Sequence, residues 1–236
     1  MNSSSSDPSN IEQQFAELLS LAVHEFRTPA SVVGGYLRML QRDESAPLSD
    51  RQRKMIDETA KAFGRMVELV NEMSDIGKLE DGRLALQQTP LDLFVLVDEV
   101  AKDTHEAADR DVRLEVRGAA SGATLRGDAA RLRTAMSALM RAVLREQATA
   151  CVVVAERRLS DDATSATIAI ALESKVTDAF TASRVPFDDK RGGMGLVLPL
   201  ARRVIERHGG EIWSQPSASG EPVARSGIVV RMPVES

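Results

Sequence analysis

Residues 11–40, IEQQFAELLSLAVHEFRTPASVVGGYLRML, decide the fold. Apolar side chains recur there every three or four places, at Ile11, Phe15, Leu18, Ala22, Phe26, Pro29, Val33, Leu37 and Leu40. That is the period of a helix, and its persistence predicts a long amphipathic one. Residues 43–50 are polar with one proline and read as a turn, with Ser49 or Asp50 placed to cap a second helix. The second helix is expected to run to about Leu79, with Ile56, Phe63, Val67, Val70, Met73 and Ile76 on one face. Asp81-Gly82 ends it. Two helices joined by a short turn form an antiparallel hairpin. A single hairpin buries its stripes poorly, whereas two make a four-helix bundle. A homodimer is therefore expected. The other way to cover the stripes is docking against the second half of the same chain.

Composition narrows the classes. The chain has 236 residues, enough for one or two domains. Aromatics are only 3% of residues, so the cores must be built from Leu, Val, Ile, Ala and Met. A net charge of −5 argues against nucleic acid as a partner. The one cysteine, Cys151, cannot form an internal disulfide and suits a reducing cytoplasm. No apolar run reaches the roughly 18 residues of a membrane span. Residues 1–10 are Ser-rich, lack the features of a signal peptide and are expected to be a disordered leader.

The second half alternates differently. Strands are predicted at residues 84–87, 112–116, 123–126, 151–157, 166–172, 211–214 and 228–232. Helices are predicted at 91–108, 128–147 and 196–207, with His208-Gly209-Gly210 a strong stop. The two types mix without strict alternation, which favours an α+β sandwich. Residues 174–191 are polar and aperiodic, the pattern of a long functional loop or disorder. The expected domains are a helical hairpin over 11–82 and the sandwich over 83–236.

The densest chemistry lies in His24-Glu25-Phe26-Arg27-Thr28-Pro29. A neutral imidazole, with a pKa near 6.5, is a competent nucleophile when one ring nitrogen is free and the other is held as N–H. Glu25 is placed to accept that N–H. Thr28 falls one turn on, on the same face, where its hydroxyl can orient a water for attack on a phosphoryl group. Pro29 leaves the Glu25 carbonyl without its helical partner.

With its helical context, this string resembles the dimerisation and phosphotransfer domain of a two-component histidine kinase. The second half resembles that family's ATP-binding domain, in the histidine-kinase-type ATPase fold. The resemblance covers nearly the whole chain. It implies that His24 carries the phosphoryl group, that Glu25 is its acid/base, and that Thr28 serves dephosphorylation of a response regulator. It places Ser31, Val32, Gly35, Tyr36 and Met39 on the face where a regulator docks.

The family's nucleotide motifs are only partly present. Asp128-Ala129-Ala130-Arg131-Leu132 resembles the lead-in to its Asn-rich helix, but Ala142 stands at the position of the Mg²⁺-binding Asn. Leu172 aligns with the adenine-binding Asp. Glu173 is one place out, which on a strand turns a side chain to the other face. Neither glycine of the first glycine box is present. The second box, Gly192-Gly193-Met194-Gly195-Leu196, survives before a helix, although one expected glycine is Arg191. Arg141 and Arg145 share a helix face and either meet phosphates or form a solvated basic patch. If ATP and Mg²⁺ bind, Gly192, Gly193, Gly195 and Arg145 are the residues to hold them, and the losses predict weak or absent binding. His105 and His208 read as structural, Trp213 as packed on a strand, and the three His and one Cys make no metal site.

Three functions remain open. The first is phosphoryl exchange between His24 and a regulator aspartate, by phosphotransfer, phosphatase action or both. The second is an active ATP-dependent autokinase with a divergent pocket. The third is a pseudokinase scaffold that binds regulators without chemistry.

Overall fold

The computed structural model describes residues 8–42, 48–80, 85–216 and 227–235, with side chains from residue 17 onward. The expected leader at residues 1–7, the turn at 43–47 and the stop at Asp81-Gly82 lie outside the described residues, and residues 8–10 are already helical. The chain divides into two compact units, Met1–Leu84 and Ala85–Ser236.

The first unit is a helical hairpin. Helix α1 (Pro8–Arg42) runs unbroken through Pro29, and α2 (Asp50–Glu80) packs along it. Ser49 starts α2 with a reciprocal capping box. The Gln52 side-chain oxygen accepts from the Ser49 N–H at 3.0 Å and from its hydroxyl at 2.8 Å, and Ser49 Oγ faces the Gln52 N–H at 3.4 Å. Gln41 donates across the hairpin to Asp57 at 3.0 Å and fixes the register. Gly34 permits the helices to close: a Cβ there would lie 2.9 Å from the Phe63 ring.

The hairpin covers only part of the α1 stripe. Val23 and Gly34 are buried, and Ala30 and Leu37 half-buried. Phe26, Val33 and Leu40 remain 53%, 44% and 47% exposed. Their spacing of seven is that of a seam awaiting another helix.

The second unit is an α+β sandwich. Its strands are β1 (Thr89–Asp92), β2 (Val112–Gly118), β3 (Thr124–Gly127), β4 (Cys151–Leu159), β5 (Ser165–Leu172), β6 (Val185–Pro186), β7 (Glu211–Ser214) and β8 (Ile228–Pro233). Six form one sheet in the order β2-β4-β5-β8-β7-β6, with only the β2–β4 pair parallel, and β1 pairs with β3 in a separate ribbon. Helices α3 (Leu93–Lys102), α4 (Ala129–Arg145) and α5 (Val197–Arg207) cover one face, over Ile168, Ile170 and Val230, all fully buried. The alternate residues Val154, Ala169, Ala171 and Val229 form a small core on the opposite face, closed by Val176, Ala179 and Phe180.

Aspartates cap two of these helices and tie them to loops. Asp92 accepts from the Phe94 N–H at 2.9 Å and, through its other oxygen, from the Gly122 N–H at 2.6 Å. Asp128 accepts from the Arg131 N–H at 3.1 Å and from the Gln87 N–H at 3.3 Å.

Two sequence expectations need correction, and a third is refined. The first strand of this unit lies at Thr89–Asp92, not 84–87; residues 85–88 carry no strand, and β1 is set by its pairing with β3. The helix expected over 91–108 ends at Lys102, where Thr104 Oγ1 bonds back to the Val100 carbonyl at 2.7 Å. His105 therefore stands beyond the helix, exposed. The expected long loop over 174–191 is largely irregular chain. It carries a 3-10 turn at Asp178–Phe180 and strand β6, and the Arg184 guanidinium stacks 4.2 Å from the centre of the Trp213 ring. Among the described residues no helix is long and apolar enough to cross a membrane.

His208 ends α5 in a defined tautomer. Its Nδ1 faces the Val204 carbonyl at 2.6 Å and donates to it, so Nε2 accepts the Asp128 N–H at 2.9 Å. One neutral ring thus joins the end of α5 to the start of α4. Replacing His208 with Ala leaves a buried backbone N–H without its acceptor. The unfolding free energy is expected to fall by about 1–3 kcal/mol, measured by urea denaturation.

Candidate functional site

His24 projects from the middle of α1 into solvent. Its side chain is 78% exposed and that of Glu25 73%. Glu25 Oε1 lies 3.4 Å from His24 Nδ1, a long contact in the direction that keeps the proton on Nδ1 and leaves Nε2 bare. Thr28 is exposed one turn on. Ser31 donates to the Arg27 carbonyl at 2.8 Å, bracing the turn in which Pro29 lacks an N–H.

Further along α1, Ser31, Val32, Tyr36 and Met39 are exposed and Gly35 is half-buried. Gly35, Tyr36 and Met39 line one shallow hollow together with Arg38, Leu40 and Arg42. A second, wholly apolar hollow is lined by Phe26, Pro29, Ala30 and Val33 of α1 and by Met66, Val67 and Val70 of α2.

In the second unit the glycine-rich turn sits beside α4. Gly192, Gly193 and Gly195 all have left-handed backbone, with φ of 65°, 61° and 65°. A Cβ on Gly192 would lie 3.2 Å from the Ala142 carbonyl oxygen and 3.3 Å from its Cα, so the turn rests directly on α4. Arg191, just before it, is buried with Glu146 at the end of α4. Arg191 Nε donates to Glu146 Oε1 at 2.9 Å and Nη2 donates to Oε2.

The other charged groups nearby are also engaged. Arg141 and Arg145 both grip Glu106, Nε to carboxylate oxygen, at 2.8 and 2.6 Å. Burial pushes the Glu106 carboxyl up, but hydrogen bonds from Arg145 and Arg141 outweigh it and hold it below the ordinary carboxylate range. Glu173 pairs with Arg117 of β2 at 2.5 Å. Arg117 shares a strand face with Arg113 and Glu115, opposite Val152, Val154 and Glu156 of β4, on the side of the sheet away from the helices. Leu172 continues the helix-facing row of Ile168 and Ile170.

Comparison with known proteins agrees with this architecture. Residues 16–82 match the His Kinase A (phospho-acceptor) domain, the segment that carries His24. The chain is 27% identical over 212 residues to the sensor protein GacS of Pseudomonas syringae pv. syringae, covering 84% of this chain and 23% of that protein. It is 28% identical over 206 residues to the circadian input-output histidine kinase CikA of Synechococcus elongatus, covering 83% and 27%. The chain thus carries a match to the phospho-acceptor domain at its hairpin and is similar over most of its length to sensor histidine kinases.

It spans about a quarter of the length of these curated relatives. Full-length ShkA in complex with AMPPNP shares its fold, with a TM-score of 0.67 and 19% identity over 92% of this chain and 45% of that one. Histidine kinase ThkA, solved in complex with the response regulator protein TrrA, does so with a TM-score of 0.55 and 17% identity over 93% and 61%.

The structure gathers His24, Glu25 and Thr28 on one stretch of α1, and Gly192, Gly193 and Gly195 in one turn. Arg145 lies on α4, with its guanidinium engaged by Glu106. Sequence reasoning missed Glu106, Glu146 and the engagement of Arg191. The available signal was Glu146 as the one acid among Arg141, Arg145 and apolar residues at the end of α4, with an Arg at position 191 where a glycine was expected.

Glu106 carries a pH signature. Its carboxyl is depressed in the folded chain, so its contribution is present above the unfolded value of about 4.3 and is lost as pH falls through the folded value. Glu106→Gln is expected to be less stable than wild type near neutral pH. The gap should close below about pH 4, read by denaturant midpoints across the pH range.

Proposed function

We propose that this chain exchanges a phosphoryl group between His24 and the aspartate of a response-regulator receiver domain, as a homodimer. The observation that carries the reading is the exposed His24–Glu25 pair, with Thr28 one turn away. From the receiver's aspartyl phosphate, bare Nε2 attacks phosphorus. The P–N bond forms, the P–O bond to aspartate breaks, and the carboxylate leaves. Glu25 takes up the Nδ1 proton as the ring becomes cationic, and returns it when phosphate moves back. In the hydrolytic direction Thr28 orients a water, whose oxygen bonds to phosphorus as the aspartyl P–O bond breaks. The metal that phosphoryl transfer needs would be held by the receiver.

The docking face for the receiver is Ser31, Val32, Gly35, Tyr36 and Met39. The exposed residues and shallow hollow there suit an apolar contact rimmed by Arg38 and Arg42. The uncovered seam of Phe26, Val33 and Leu40 supports pairing of two hairpins into a four-helix bundle. A cytoplasmic setting fits the single unpaired Cys151.

Autophosphorylation from ATP is not part of this reading. Mg²⁺ wants oxygen ligands, and the position of the family's metal-binding Asn is the buried methyl of Ala142. Leu172 stands where the adenine-binding Asp is expected. The residues present do not fit Mg²⁺–ATP held in the family's manner.

A panel of phosphorylated receiver domains tests the exchange. Wild type is expected to speed loss of receiver phosphate and to acquire acid-labile phosphate on His24. His24→Ala should abolish the labelling, and Thr28→Ala should slow hydrolysis on the order of 10²-fold. Rates unchanged by either substitution would refute the proposal. For the dimer, Val33→Asp is expected to convert a two-copy species into a single-copy one in sedimentation experiments, with helix content retained in part.

A further inference from the structure

We propose that Arg191 and Glu146 form an internal latch that shuts the Gly192–Gly193 turn onto α4 and keeps nucleoside triphosphates out of the second unit. Three observations carry it. The first is contact: Gly192 lies so close to Ala142 that a single added carbon would meet the α4 backbone at 3.2–3.3 Å. At Gly192 a phosphate has no space between the turn and the helix, although a Cβ on Gly193 would meet nothing within 4 Å. The second is the lock itself. The Arg191 and Glu146 side chains are 1% and 7% exposed and bond through two parallel N–H···O contacts. Opening the turn would strip a buried charge of its partner at both ends, which is strongly unfavourable.

The third observation is the tether. Phe187, next to strand β6, is buried, and Arg191 is buried. Only Asp188, Asp189 and Lys190 lie between these two anchors. Four Cα-to-Cα steps reach at most about 14 Å, so the turn cannot swing out while both anchors hold. Asp189 is further held to Arg202 of α5 at 3.2 Å. Were the pair to separate, the Glu146 carboxylate would face an incoming triphosphate and repel it.

The latch is independent of the His24 chemistry: nucleotide binding would overturn it while leaving phosphate exchange with a receiver untouched. Hydrogen-exchange mass spectrometry on the full chain, with and without millimolar Mg²⁺–ATP, provides the test. Amides 191–196 of wild type are expected to be protected without nucleotide and unchanged by it, with no ATP retained in equilibrium dialysis. E146Q and R191M should each speed exchange at 191–196 on the order of 10²-fold. Should either single variant unfold the unit, the double variant R191M/E146Q supplies the second reading. Its melting temperature is expected to lie above both singles, because removing both charges leaves none unpaired. Protection of 191–196 gained by wild type on adding Mg²⁺–ATP would overturn the latch. So would single-variant exchange equal to wild type, or melting losses that simply add in the double variant.

Discussion

An apolar arc on α1 that is wider than α2 can cover governs the first unit. Val23 and Gly34 are buried within the hairpin, while Phe26, Val33 and Leu40 stay half-exposed at intervals of seven. Full burial of side chains of this kind stabilises by about 1.5–3 kcal/mol each, and the proposed pairing of two copies would supply it to both. The same arc fixes where the reactive imidazole stands. His24 is two residues from Phe26, about 200° around the helix, so it points away from the seam. In the proposed reading, the seam and the imidazole thus occupy opposite sides of one helix, with Leu40 at the border between the seam and the docking hollow.

The second unit is built differently, around a sheet covered by helices on one face and by a small core on the other, and a set of acid–arginine pairs near α4 and β5. Glu106 holds Arg141 and Arg145, Glu173 holds Arg117, and Glu146 holds Arg191. The Glu106 and Glu146 pairs lie along α4, whereas the Glu173–Arg117 pair lies on the sheet face away from the helices. The exposed pairs add little stability, whereas the buried Arg191–Glu146 pair is costly to break from one side. The family model matches the phosphoacceptor hairpin, and the relatives and solved structures match through the sandwich as well.

Much of this was legible in the sequence, for identifiable reasons. The 3.6-residue period of α1, the Ser49 start of α2 and the apolar runs of β4, β5 and β8 are local signals, and local physics decides those elements. The misses depend on distant partners. Strand β1 contains Pro90 and exists through its pairing with β3. Strand β6 is two residues long and is held by β7 and by Arg184 on Trp213. The neutral tautomer of His208 is set by Asp128, eighty positions away. At the candidate site, His24, Glu25 and Thr28 are neighbours in one helix and could be read together. Arg191 and Glu146 are forty-five positions apart, and only folding brings them into contact.

The source of phosphate on His24 tests the central claim most directly. Wild-type chain can be offered labelled Mg²⁺–ATP in one reaction and a labelled phospho-receiver in another, with phosphohistidine read by mass spectrometry under alkaline conditions. Labelling of His24 from the receiver and not from ATP is the expected result. Labelling from ATP alone, with the receiver's phosphate left in place, would contradict it.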